Sequence, residues 1–182
     1  MSTTLPVLTM RTVAMPVEFF GALRTAVHDA SSAAVLVDSV RDAGYHAGAA
    51  LYDSFASWLA QRDETTPESL ADERFGPLLS DFLLASGWGN IALTPLSDAV
   101  IALDADAWSE AQGDGGGCLV STGLFAGFFG RLAEAPIAVL EVECRTSAEP
   151  RCRFLLGSVD VLSYVHEAIG RGVSYETAAS SA

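Results

Sequence analysis

The chain has 182 residues, enough for one domain with a real core, and half of them are hydrophobic against 18% charged, which excludes disorder for most of its length. Ten arginines, no lysine and 23 acids leave a net charge of −13, a field that repels phosphate backbones and anionic membrane surfaces, so neither nucleic-acid binding nor membrane insertion is expected. No apolar run reaches the roughly 18 residues of a spanning helix, and the first 20 residues lack the basic start and apolar centre of a signal peptide. A cytoplasmic chain with reduced thiols is expected.

Residues 1–15 have no helical period, and 5–13 can add a short strand. Pro16 suits the first turn of a helix, in which Phe19, Phe20, Leu23 and Val27 form the inward side. Ala30-Ser31-Ser32 is a break, and either serine can cap the next helix. That helix is long, about 33–62, with Leu36, Val40, Tyr45, Leu51, Tyr52, Phe55 and Leu59 as its apolar stripe. Gly44 and Gly48 lie four apart on one face. Each costs roughly 1 kcal/mol relative to alanine in a helix, so the pair implies close backbone approach by another element. A helix break near Gly44 is the other reading.

Residues 63–66 read as a loop, and Thr66-Pro67-Glu68 as the start of a helix to about Ser86, with Leu70, Phe75, Leu78, Leu79, Phe82 and Leu83 inward. Gly87-Trp88-Gly89-Asn90 ends it. Two short strands follow, 91–93 and 99–103, joined by a turn. The stretch 104–114 is polar and mixed, with Trp108 its lone large apolar residue. Gly115-Gly116-Gly117 is a flexible lead-in without the arrangement of a phosphate loop. A helix over 118–133, a strand over 137–144, a turn at 147–150, a strand over 152–156 and a helix over 159–169 complete the pattern. The tail, 173–182, is expected to be loose. With no repeat and no linker, 1–182 reads as a single domain of α/β (α+β) class, helices packed on a small antiparallel sheet.

All three cysteines, Cys118, Cys144 and Cys152, fall within 118–156, and Glu141 precedes Cys144 by three residues. Zinc takes four ligands in a tetrahedron and favours thiolates in structural sites. Cys144 and Cys152 flank the hairpin turn, and Cys118 stands at a helix start, where a thiolate is stabilised. Residues three apart on a regular strand point to opposite faces. Glu141 and Cys144 can therefore act together only with a bulge or strand end near Glu143. Such a set leaves no open position, so the zinc would be structural. Two other readings stay open: three buried core thiols without metal, and a cross-hairpin disulfide between Cys144 and Cys152.

The series Cys118, Gly123, Gly127, Glu141-x-x-Cys144 and Cys152-x-Phe154 resembles the 4-vinyl reductase domain family, whose signature is a cysteine, a small-residue-rich helix, an E-x-x-C strand and a second cysteine before an aromatic. Gly44-x-x-x-Gly48 and Gly87-Trp88-Gly89 suit it too, and the resemblance spans residues 35–170. It implies a fold like that of vesicle-tethering TRAPP-complex subunits, a homodimer, and zinc held by Cys118, Glu141, Cys144 and Cys152. It also implies function. Sensor domains of this family bind a small aromatic in a buried pocket beside such a zinc, and another member is an accessory protein of bacteriochlorophyll synthesis. The histidine by which the aromatic sensors hold a phenolic hydroxyl has no match here, since His28, His46 and His166 fall in predicted helices away from the motif. With no ATPase or DNA-binding segment in view, a free-standing version is expected.

The first functional expectation is a zinc-containing protein that binds or senses a small hydrophobic or aromatic molecule. Phe82, Trp88, Thr122, Phe125, Phe128 and Val139 are its candidate pocket walls, each of which also serves as ordinary core. The second is an accessory role in tetrapyrrole vinyl reduction, such as that of (bacterio)chlorophyll. Catalysis by the chain itself is not expected, because no G-x-G-x-x-G follows a strand and no Ser-His-Asp or Cys-His pairing is defensible. The third is a dimeric scaffold without ligand.

Overall fold

Two parallel helices in direct backbone contact form the spine of the fold. The structure, a computed structural model, describes residues 15–62, 66–112, 117–147 and 149–182, without the side chain of Asp72. Helix α2 (Ala33–Ala60) runs unbroken through Gly44 and Gly48 and packs on α4 (Leu119–Ala133). A methyl group at Gly48 would lie 2.8 Å from Phe128 N, and one at Gly123 of α4 would lie 2.8 Å from Tyr45 N. The glycines of both helices thus meet the other's backbone. This is the close approach that the spacing of Gly44 and Gly48 implies, and the alternative of a break at Gly44 does not occur.

The sheet has order β1-β2-β4-β3, all antiparallel, from β1 (Asn90–Pro95), β2 (Ile101–Asp106), β3 (Ala138–Glu143) and β4 (Cys152–Gly157). Alternation along the strands gives it two buried faces. Leu103, Ala105, Cys152, Phe154 and Leu156 pack with Phe55, Phe82, Trp108, Phe125 and Phe128 from the helical layer. Ala102 and Leu155 pack on the other side with Leu162, Val165 and Ala168 of α5 (Val159–Gly170) and with Ala178 and Ala179 of α6 (Tyr175–Ser180). α3 (Asp72–Ala85) lies beside edge strand β1, and α1 (Glu18–His28) covers one end of the helical layer.

Several expectations change. The tail after Gly172 is not loose: Ser174 caps α6 by accepting from Thr177 N, and Ala178 and Ala179 are buried. The helix expected from Pro67 is split, because Leu70 and Ala71 are extended, with ψ of 139° and 144°. Pro67 instead opens a single 3-10 turn and is buried, and α3 starts at Asp72. Strands β1 and β2 are longer than expected, and Asp104 and Asp106 belong to β2. Trp108, read within a polar stretch, is fully buried. Leu36 and Tyr45 of the expected stripe are exposed. The first turns of α2 extend past the N-terminus of α4, and Tyr45 meets α4 closely through its backbone while its hydroxyl reaches towards Gly130. Phe19 is exposed, and Arg24 takes a buried place on α1 beside Phe20 and Val27. Ser32 stands at the start of α2 without a side-chain capping bond. The strand expected over 5–13, most of the 63–66 loop, Gly115 and Gly116 lie outside the described residues. Among the described residues, no helix is long and apolar enough to cross a membrane.

Candidate metal centre

Cys118 stands at the N-cap of α4, Glu141 in β3, Cys144 just past the end of β3, and Cys152 at the start of β4. One ligand atom from each lies within 4.8 Å of all the others. The irregularity that this requires is present. Glu141 pairs with Phe154, and Glu143 with the adjacent Arg153, so Val142 is an extra residue in β3. Cross-strand partners share a face, and Phe154 and Arg153 point to opposite faces. Glu141 and Glu143 therefore point apart, and Cys144 returns to the side of Glu141. The bulge does what bulges do beside sites: it re-aims a side chain.

The three sulfurs form a nearly equilateral triangle, with Cys118–Cys144 at 3.8 Å, Cys118–Cys152 at 3.8 Å and Cys144–Cys152 at 3.9 Å. All three are free thiols, so the disulfide reading falls. A tetrahedral centre with metal–sulfur bonds of about 2.3 Å has sulfur–sulfur edges of about 3.8 Å. Glu141 has the carboxylate that could take the fourth corner. Its Oε2 accepts from Cys118 N at 2.8 Å, whereas Oε1 is buried and has no hydrogen-bond partner. A buried carboxylate oxygen left unpaired costs free energy unless something meets it. The donor set and its spacing fit a single zinc ion.

The surroundings orient the donors, as outer partners of metal ligands do. Thr146 Oγ1 lies 2.9 Å from Cys144 Sγ and accepts from Gly117 N at 3.2 Å. Arg145 N donates to Cys152 Sγ at 3.5 Å. Gly117 has φ +78°, and a methyl there would come within 3.0 Å of Glu141 Oε2, so glycine fits this position on both counts. Burial pushes the Glu141 carboxyl up to about 7, against the lowering bond from Cys118 N–H. Hydrogen bonds from Cys118 and Cys144 draw the Cys152 thiol down, whereas bonds to Cys144 and Cys152, with burial, push Cys118 up. Without metal, the cluster keeps protons that an ion would displace.

Sequence reasoning missed the second carboxylate of this region. Glu110 is buried and takes the first N–H groups of α4: Val120 N at 2.8 Å and Ser121 N at 2.7 Å, with the Ser121 hydroxyl as a third donor. Burial raises its pKa above the usual carboxylate value. Arg24 of α1 donates to the backbone oxygens of Glu110 at 2.5 Å and Gln112 at 3.0 Å. Trp108 Nε1 donates to Ser121 Oγ at 2.7 Å. No local pattern in 104–114 signals this, because the helix that Glu110 caps starts nine residues later.

Of the six candidate wall residues, Phe82, Phe125 and Phe128 pack in the core, with Trp88 and Val139 against it. Trp88 stacks on Trp108 with ring centroids 5.4 Å apart, Trp108 meets Phe125 at 5.3 Å, and Phe125 meets Phe154 at 5.0 Å. Phe82 and Phe128 pack around Phe55 at 5.3 and 5.8 Å. Phe125 and Phe128 line an apolar seam with Leu51, Leu79, Leu83 and Phe129 that has no room for a water molecule. Thr122 Oγ1 bonds Cys118 O, and Val139 packs on the core from β3. His28, His46 and His166 are exposed on α1, α2 and α5, away from the cysteines.

Residues 109–158 match the family model of the 4-vinyl reductase domain. No curated protein matches the chain by sequence. Among solved structures, the phenol-responsive sensory domain of the transcription activator PoxR, with phenol, is similar at a TM-score of 0.61 and 19% identity, covering 83% of this chain and 78% of that one. Trafficking protein particle complex subunit 3 from Naegleria fowleri, covalently bound to palmitic acid, is similar at 0.59 and 13% identity, covering 78% and 91%. A vinyl-4-reductase family protein from Methanocaldococcus jannaschii gives 0.49 and 16%, covering 82% and 85%. At such identities the first two likenesses are of fold alone. The resemblance carried by 118–156 holds, and so does the expected class of helices on a small antiparallel sheet.

Proposed function

We propose that this chain is a zinc-clipped domain that binds a small apolar or aromatic molecule. The observation that carries the metal half is the triangle of sulfurs at zinc spacing beside the unpartnered Glu141 Oε1. Zinc there joins the start of α4 to the β3–β4 hairpin and keeps four donors deprotonated. With all four positions filled by side chains, its role is structural.

The binding half is supported by likeness in fold to a domain solved with phenol and to one carrying palmitic acid. It is also supported by the ring series from Phe154, next to Cys152 on β4, through Phe125 and Trp108 to Trp88. The narrow seam at Leu51, Leu79, Phe125 and Phe128 is where a ligand would enter, by turning rings aside. A homodimer is part of this reading, since Val35, Leu36 and Tyr45 of α2 stand exposed.

Native mass spectrometry of protein purified without added zinc tests both halves. One zinc per chain is expected, and a folded, metal-free protein overturns the site. Thermal shift against phenol, toluene and palmitic acid follows. A rise with at least one is expected, because a ligand of the native state adds stability. A flat response to all three favours a scaffold.

A further inference from the structure

A network of ion pairs lies on the sheet face opposite the sulfurs. The Glu143 carboxylate receives Arg151 Nε at 2.8 Å and Nη2 at 3.1 Å, and the Tyr175 hydroxyl donates to it as well. Arg153, paired with Glu143 across the strands, grips Asp104 of β2 at 2.5 and 2.7 Å and donates to Tyr175 Oη at 3.3 Å. Tyr175 is the first residue of α6. A six-residue helix is far too short to stand alone, so α6 depends on docking, and its hydroxyl lands on the one glutamate whose direction defines the bulge.

That direction matters to the metal. With β3 in regular register, Glu143 would share the face of Glu141, and Cys144 would point away from it. Holding Glu143 on the α6 face keeps Val142 as the extra residue and returns Cys144 to the sulfur side. An extra residue disrupts the ladder. The three donors on Glu143 offset that cost, and they are charge-assisted bonds, the stronger kind.

We infer that Tyr175, with Arg151 and Glu143, is a positioning cluster for the metal centre, so that docking of the C-terminal helix governs how firmly the ion is held. This rests on the zinc reading above. No member of the cluster is a ligand. Its action is through the β3 bulge, from the far side of the sheet, and it makes α6 a handle by which the centre can be loosened without touching a thiol.

The test is release of zinc to the chromogenic chelator 4-(2-pyridylazo)resorcinol under native conditions. Tyr175→Phe is expected to release zinc about tenfold faster than wild type, the scale seen when outer partners of metal ligands are lost. Glu143→Gln, which leaves α6 and its tyrosine in place, is expected to move in the same direction. Leu59→Ala is the control, since it removes buried volume from α2 in the helical layer, across the sheet from Glu143 and α6. It should lower the melting temperature and leave release at the wild-type rate. Wild-type release rates in both Tyr175→Phe and Glu143→Gln overturn the inference, as does equal acceleration by Leu59→Ala. A wild type that holds no zinc sinks the metal reading itself and this inference with it, a result distinct from a zinc-loaded protein whose release is indifferent to Tyr175.

Discussion

Gly48→Ala sets two opposed effects against each other. Alanine is the better helix former by about 1 kcal/mol, so in an open helix the change would stabilise. Here the added methyl would sit 2.8 Å from Phe128 N and closer still to the Leu124 carbonyl oxygen. Ordinary contact begins at 3.4 Å, so it stands 0.6 Å too close to Phe128 N alone. Both obstacles are backbone, and no side chain can turn away. The helices must part, loosening Tyr52, Phe55, Leu124 and Phe128 between them. Overpacking of this kind costs about 3 kcal/mol at its upper end, which leaves a net loss of about 2 kcal/mol after the propensity gain. For a chain of this length that is a fall of about 4–8 °C in melting temperature. Gly21→Ala is the matched control, because a methyl at Gly21 of α1 meets nothing within 4 Å. It should be neutral or stabilising by up to about 1 kcal/mol. Thermal unfolding followed by circular dichroism reads both. Gly48→Ala as stable as wild type would refute the backbone contact between α2 and α4.

Two other outcomes can be checked by unfolding the protein with heat or denaturant. In metal-free protein, burial holds Glu141 at about 7 and raises Glu110 in the same direction from the ordinary 4.5. The folded state then binds more protons than the unfolded one between pH 4.5 and 7, so these groups make stability fall as pH rises through that window. Zinc reverses this, since its ligands must be deprotonated, and zinc-loaded protein should gain over the metal-free form as pH rises. Glu141→Gln isolates the larger of these contributions: it should remove part of the fall, and a metal-free pH profile unchanged by that substitution contradicts the raised Glu141 carboxyl. Ser121→Ala removes the acceptor of Trp108 Nε1 and a donor to Glu110, leaving a buried indole N–H unpaired. A loss of about 1–3 kcal/mol is expected, with a shift in tryptophan fluorescence, and an unchanged denaturant midpoint would count against the network.

Much of the helical layer is legible in local pattern. The α2 stripe from Leu51 to Leu59, the apolar run of α4 and the Val-, Ile- and Leu-rich strands follow from periods of 3.6 and 2 that burial imposes on any helix or strand with an inner side. Gly44 and Gly48 announced a close neighbour, because a glycine pair in a helix is costly unless something needs the space. The four residues of the candidate centre were legible as a set, and their separations along the chain pointed to a helix end and a hairpin. Local pattern could not supply long-range pairing. Glu110 reads as one more acid in a polar stretch until α4 brings its N–H groups to it. Tyr175 reads as part of a loose tail until Glu143 and Arg153 present their charges. The bulge at Val142 is invisible in β3 alone, because it is a mismatch between two strands rather than a property of either. The sequence by itself therefore determined which residues could form the centre and which helices face inward. Only the tertiary structure decided that Glu141 and Cys144 face the same way, since that depends on the register between β3 and β4 and on the side chains that hold it.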